Sequence, residues 1–185
     1  MAVRQLLLVD KYKLTNHLLG LQGEDRRLRF GGAVSDDYIK EYVAKSFSED
    51  SQWFGVDHID GHLVAACHVA IVNGEAELGC SVDHDFRGEG FAQKMFNRAV
   101  TWLRVRGITH VFMHCLSENG AMKHIARKNN MILVSEYGET DAAVQVEPAT
   151  PLTYIEEAYL NRIALYDMYM KNNYRVFDFY WNRHT

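Results

Sequence analysis

The stretch Val82-Asp83-His84-Asp85-Phe86-Arg87-Gly88-Glu89-Gly90-Phe91-Ala92 joins the end of an alternating run to the start of a long helical pattern. Before it, Ala76, Leu78, Cys80 and Val82 place apolar residues on one face of a strand. After it, Phe91, Met95, Ala99, Trp102 and Val105 recur every three or four residues, as one face of a helix requires. A strand therefore turns into a helix here. Glycines at the turn let backbone N–H groups point into one concavity, and the helix N-terminus adds partial positive charge, so the bend suits a phosphate-bearing ligand. A single exposed dipole interaction contributes only ~0.3 to 1 kcal/mol, which means that several amides must converge. Gly90 and Ala92 keep bulk away from that point. A dinucleotide fingerprint would need a third glycine, where Gln93 stands, and an acidic residue about 20 positions on, where none occurs. A P-loop would need Gly-Lys-Ser/Thr where the chain has Phe91-Ala92-Gln93. The remaining alternatives are a different phosphate cradle and an ordinary glycine-rich helix entry.

Working outward, apolar runs predict strands over 3–9, 53–59, 63–71, 75–82, 110–116, 132–137 and 143–146. Asp60-Gly61 and Asn73-Gly74 are hairpin turn signals, so the second to fourth strands form an antiparallel meander. Helices are expected over 10–19, 36–47, 88–106 and 119–129, capped by residues such as Asp10 and Ser35. The fold class is α/β (α+β): a mixed, mostly antiparallel sheet of about seven strands flanked by helices. The charge run from Glu24 to Arg29 reads as a solvated turn. Past Pro148 the pattern changes. Thr150 and Pro151 open an extra C-terminal helix, with Thr153 and Glu156 as its capping box and a stripe of Ile155, Tyr159, Ile163, Tyr166 and Met170. Residues 1–148 are thus one domain, and 149–185 an extension that packs on that domain or against a second copy.

With 185 residues, 48% of them apolar, and only two prolines, the chain can fill a core and is not a disordered or collagen-like sequence. No apolar run approaches the ~20 residues of a membrane span, and no secretory leader is evident. Cys67, Cys80 and Cys115 are odd in number and lack metal-type spacing, which suits a reducing, cytoplasmic setting. A net charge of −4 argues against nucleic acid as partner.

Arg87-Gly88-Glu89-Gly90-Phe91-Ala92 resembles the Arg/Gln-x-x-Gly-x-Gly/Ala motif with which the GNAT N-acetyltransferases hold the pyrophosphate of acetyl-CoA. Asn119, Met122 and the run Ile125 to Met131 resemble that family's second cofactor helix, and the strand order agrees with its fold. Ala76 to Val82 and Glu24 to Phe30 resemble, more narrowly, bacterial Pat-type protein-lysine acetyltransferase domains. The resemblance implies a GNAT fold and acetyl transfer from acetyl-CoA to a primary amine of a small molecule or protein lysine. It implies that Arg87, Gly88, Glu89, Gly90, Phe91 and Ala92 hold pyrophosphate. The thioester would lie along Cys80, Ser81 and Val82, with Asn119 touching the coenzyme, capping its helix, or both. No metal is implied.

A lysine-like ammonium must lose a proton to react, a cost of ~4 kcal/mol near neutrality. Glu77 occupies the position of the Pat-type general base, on the strand face opposite Ala76 and Leu78, where Gly79 and Ser81 leave room for a cleft. It stands about 10 Å along the strand from Cys80 and would act through water. Where many relatives place a tyrosine as general acid, this chain has Ala126, so that role is left to water. Arg87, Lys94, Arg98, Arg104 and Arg106 face only Glu89 along the long helix, and one or two of them are expected to reach the ligand. His58, His62, His110 and His114 read as structural residues, and Cys115 as a core cysteine. The rival function is a catalytically silent acetyl-CoA or CoA sensor. The acceptor is not specified by the sequence.

Overall fold

A computed structural model describes residues 1–184. In chain order the elements are β1 (Arg4–Gln5), α1 (Lys11–Gly20), α2 (Gly23–Phe30), α3 (Asp36–Lys45), β2 (Ser51–Asp57), β3 (Leu63–Val72), β4 (Glu75–Val82), α4 (Phe91–Arg104), β5 (His110–Leu116), α5 (Gly120–Lys128), β6 (Ile132–Glu136), β7 (Glu139–Gln145) and α6 (Pro151–His184). They build one seven-stranded sheet of order β1-β2-β3-β4-β5-β7-β6, in which only β4 and β5 run parallel. The sheet is covered on both faces. Met95, Phe96, Ala99 and Leu103 of α4 pack on Phe54, Val69, Leu78 and Met113. Leu14, Leu18, Ile39 and Val43 of α1 and α3 pack on Trp53 and Leu63 from the other side.

Four local expectations are corrected. The first strand is only Arg4–Gln5, because Asp10 accepts from the Leu7 amide (2.9 Å) and from Arg4 (2.7 and 2.8 Å), curling Leu8–Asp10 into a 3-10 turn. The run read as a solvated turn is a helix, α2. Arg26 ties it to the end of α1 by donating to Leu21 O and Leu19 O, both at 2.8 Å; Arg27 pairs with Glu24 one turn away, and Gly31 (φ 74°) ends it. The last strand begins at Glu139 rather than Ala143, since Tyr137 and Gly138 (φ 49° and 89°) supply a two-residue hairpin turn. At the start of α6 the reciprocal contact is between Thr150 and Thr153, not Thr153 and Glu156: the Thr150 amide donates to Thr153 Oγ1 at 3.1 Å.

Helix α6 docks on the domain with its polar side. Glu157 pairs with the buried Arg98 (2.5 Å), Asn161 accepts from Arg98 (2.6 Å) and from Gln5 (3.1 Å), and Lys171 donates to Asp57 O (2.6 Å). The apolar stripe Ile155, Tyr159, Ile163, Tyr166 and Met170 is exposed. Among the described residues no helix is long and apolar enough to cross a membrane.

Candidate functional site

Strands β4 and β5 are paired only at Ala76↔Val111 and Glu77↔Phe112. Beyond that point they part, so the β5-facing edge of β4 from Leu78 to Val82 borders an opening. A cavity of about 500 Å3 lies there, with Cys80, Ser81 and Val82 along one side and Arg87, Gly88, Gly90, Phe91 and Ala92 at one end. α5 closes the opposite side through Asn119, Met122 and Lys128, and α2 adds a wall through Asp25, Leu28 and Arg29.

The bend itself is open to a ligand. Gly88 and Gly90 hold φ of 81° and 76°, a conformation that L side chains rarely adopt, and α4 starts immediately after them. No side chain caps α4, and its first backbone bond is Lys94 N→Gly90 O at 3.0 Å. The amides of Phe91, Ala92 and Gln93 are therefore left to an external acceptor.

The family profile described as the acetyltransferase (GNAT) family matches residues 22–130. The chain belongs to the GNAT family. No curated protein matches the sequence. Among solved structures the GNAT domain of S. lividans PAT aligns with a TM-score of 0.66 at 19% identity, over 78% of this chain and 89% of that one. The ribosomal-protein-S18-alanine N-acetyltransferase from Escherichia coli gives 0.62 at 16% identity, over 81% and 96%. Spermidine N-acetyltransferase from Vibrio cholerae, solved with CoA and spermine, gives 0.62 at 17%, over 78% and 94%. These likenesses are of fold. As a GNAT chain the protein is an acyl-CoA N-acyltransferase, and its cavity between β4 and β5 lies beside the glycine-rich bend.

Within the GNAT cavity the residues picked from sequence divide. Arg87, Gly88, Gly90, Phe91, Ala92, Cys80, Ser81, Val82 and Asn119 line it; Glu89 is exposed and turned off it, and Glu77 stands outside it, exposed, at the point where β4 and β5 part. Ser81 Oγ is taken by His17, whose Nε2 accepts from it at 2.9 Å while Nδ1 donates to Leu63 O at 3.1 Å and lies 3.0 Å from Asp83. The Cys80 thiol donates to Cys67 Sγ at 2.8 Å. Both strand residues thus offer a ligand mainly backbone. Asn119 caps α5, accepting from Met122 N at 3.1 Å, and also donates to Leu28 O at 3.3 Å, fixing α2 to α5.

Most cations of the α4 face are spent elsewhere. Arg98 is buried against Glu157, Arg104 donates to the carbonyls of Glu147 and Pro148, and Arg106 stacks over Trp102. Arg87 and Lys128 are the cations that reach the cavity from the glycine-rich bend and α5.

Of the four histidines read as structural, His114 stands among carboxylates. His114 Nδ1 donates to Asp141 Oδ1 at 2.7 Å, and Nε2 lies 3.7 Å from Glu139. The bond from Asp141 raises His114 above the ordinary imidazole value against partial burial, and the charges of Asp141, Glu139 and Glu77 add to it. Glu77 therefore stands near an acidic group that includes an imidazole. Sequence spacing hid this, because the partners sit on β7 and meet His114 only through the β5–β7 register His114↔Asp141. The other notable imidazole group, His58 and His62 around Asp60, brings three donor atoms within 4.8 Å of one another at the β2–β3 turn, packed on Phe86 at ring distances of 5.4 and 6.2 Å.

Proposed function

We propose that this GNAT chain transfers acetyl from acetyl-CoA to a primary amine, and that Glu77 removes the amine proton through a water molecule. The observation that carries this is the open N-terminus of α4, aimed into a cavity whose side is the unpaired edge of β4. In this reading the Arg87–Ala92 bend holds the pyrophosphate, Asn119 borders the coenzyme, and the backbone of Cys80 to Val82 lies along the thioester. An N–H directed at the carbonyl there would stabilise the oxyanion of the tetrahedral intermediate. The amine nitrogen forms the C–N bond as the C–S bond breaks. Its proton leaves by way of Glu77, and the thiolate takes one from solvent, since Ala126 has no proton to give.

The likeness of residues 24–30 and 76–82 to Pat-type domains, and the PAT domain's place among the similar structures, support protein lysine as one acceptor class. The acidic group around Glu77 favours an amine that arrives as a cation. Free thiols at Cys67, Cys80 and Cys115 support a cytoplasmic setting. We read residues 149–185 as an extension that joins two copies of the chain through the exposed side of α6.

The decisive experiment titrates the protein with acetyl-CoA by calorimetry and then follows thiol release with amine panels. Binding with amine-dependent thiol release is expected. Binding without turnover of any amine or lysine-bearing protein would leave the silent sensor instead, and no binding would remove both.

A further inference from the structure

The far end of the cavity from the phosphate bend carries a positive charge that no described residue balances. Arg29, in the last turn of α2, lays its guanidinium over β4 at Gly79: a Cβ built on Gly79 would stand 3.2 Å from Nη1 and 3.3 Å from Cζ. The rings of Phe30, Tyr42 and Trp53 surround it, 5.1, 5.7 and 5.9 Å from Cζ. Nη2 donates to Tyr42 Oη at 3.1 Å, whereas Nε is buried and meets no partner. Among the described residues no carboxylate pairs with it. The next polar group, His68, bonded to Tyr42 Oη at 2.9 Å, is held neutral by burial and by Arg29 itself. The space above Gly79, expected to be open for a cleft, is filled by the guanidinium.

A guanidinium does not lose its proton, and an enclosed, unpaired charge is costly. Aromatic faces offset part of that cost but accept no directional bonds from the remaining N–H groups. The complement is an anion brought in by a ligand. The coenzyme does not supply it here: its phosphates belong to the bend that follows β4, and the pantetheine arm between is uncharged.

We propose that Arg29 is a carboxylate subsite, and that one acceptor class is a small amino acid or close analogue with its amine and carboxylate a few atoms apart. This rests on the acetyltransferase reading above. Glu77 and Gly79 project from the same face of β4, ~7 Å apart. An amine that gives its proton towards Glu77 therefore has its carboxylate within reach of the guanidinium. The planar fork can take both carboxylate oxygens, which a lysine in its place could not. Glu77, Glu139 and Asp141 make the amine end negative, so the two ends of a zwitterion are held in one orientation.

The test uses the full chain with acetyl-CoA and matched acceptors: free amino acids, their carboxamides, and the amines that lack the carboxyl group. Free acids are expected to exceed carboxamides by at least ~100-fold in kcat/KM, mostly through KM. In Arg29→Gln and Arg29→Lys that ratio should fall by ~10-fold or more, with acetyl-CoA still bound as evidence of folding. A second readout needs no turnover: N-acetyl amino acids should raise the melting temperature of the CoA-bound protein, and their methyl esters should not. Equal use of acids and amides, or equal shifts by acids and esters, overturns the proposal while the acetyltransferase reading stands. Failure to bind acetyl-CoA removes that reading itself.

Discussion

Arg87 and Asp25 form an ion pair, Nη2 to Oδ1 2.5 Å, at the edge of the cavity, joining the glycine-rich bend to α2. Both groups are partly exposed, and such pairs contribute about 0.2 to 1 kcal/mol. An arriving pyrophosphate competes with Asp25 for the same guanidinium. Asp25→Asn is therefore expected to tighten acetyl-CoA binding by about two- to fivefold, and Arg87→Ala to weaken it by about tenfold, both by calorimetry at low salt. Unchanged binding in both variants would mean that Arg87 does not reach the coenzyme.

Glu77 lies at the last rung of the β4–β5 ladder, exposed, where a water can stand between it and an acceptor. General-base removal costs typically 10²–10⁴-fold in rate. Glu77→Gln should lower kcat by at least ~10²-fold near pH 7 with little change in the KM for acetyl-CoA, and the deficit should shrink as rising pH deprotonates the amine without help. An unchanged kcat would pass the role to His114 or to bulk water.

How much of this was legible beforehand follows from what each signal depends on. The bounds of β4 and β5 match the sequence pattern to the residue, because alternation of apolar and polar positions reports a half-buried strand directly, and the strand-to-helix bend follows from its glycines. α2 was not, since a run of charges has no apolar period; its helix depends on Arg26 reaching back to the carbonyls of α1, a contact that spacing does not encode. The same run concealed Arg29, whose burial depends on Gly79 some fifty residues later. The apolar stripe of α6 was seen, yet not that the opposite chemistry, Glu157, Asn161 and Lys171, does the docking.

His68 is enclosed between Tyr42 and Ser51, and burial together with the charge of Arg29 pushes it down to about 3 from an ordinary 6.5. In the unfolded chain it takes a proton below about 6.5, whereas the folded protein keeps it neutral until about 3. The unfolded state thus binds more protons across that window, and stability is lost as pH falls through it, by about 1.4 kcal/mol per pH unit from this group. Urea denaturation of the wild type and of His68→Gln between pH 4.5 and 7 should show the variant with the flatter profile. Parallel profiles would mean that His68 is protonated in the fold.

His114 titrates in the opposite sense. Its bond to Asp141 raises it, so the pair stabilises the fold fully below about 6.5, and that contribution disappears as pH rises through the elevated folded value. The group is exposed enough for solvent to screen the pair, which keeps the effect small. Asp141→Asn should return the His114 titration followed by NMR towards 6.5, and a titration that does not move would assign the raised value to Glu139 and Glu77 instead.

The outward side of α6 carries Leu152, Ile155, Tyr159, Ile163, Tyr166, Met170, Tyr174, Phe177 and Trp181, all exposed, at intervals of three, four and four residues in succession. That is an 11-residue repeat, the period of nearly straight or slightly right-handed helix pairs, and it is continuous over the helix. Its five aromatic side chains, at ~150 to 250 Å2 each and more than half exposed, present about 600 Å2; the four aliphatic ones bring the stripe near the ~800 Å2 per partner of a standard interface. A second copy offers the same length and the same period. Sedimentation is expected to give a dimer at micromolar concentration, and the double variant Ile163→Glu with Tyr166→Glu a monomer that still binds acetyl-CoA, since neither residue approaches the cavity. A wild-type monomer that instead sediments with lipid vesicles would mean that the aromatic side of α6 meets a membrane surface rather than its own copy.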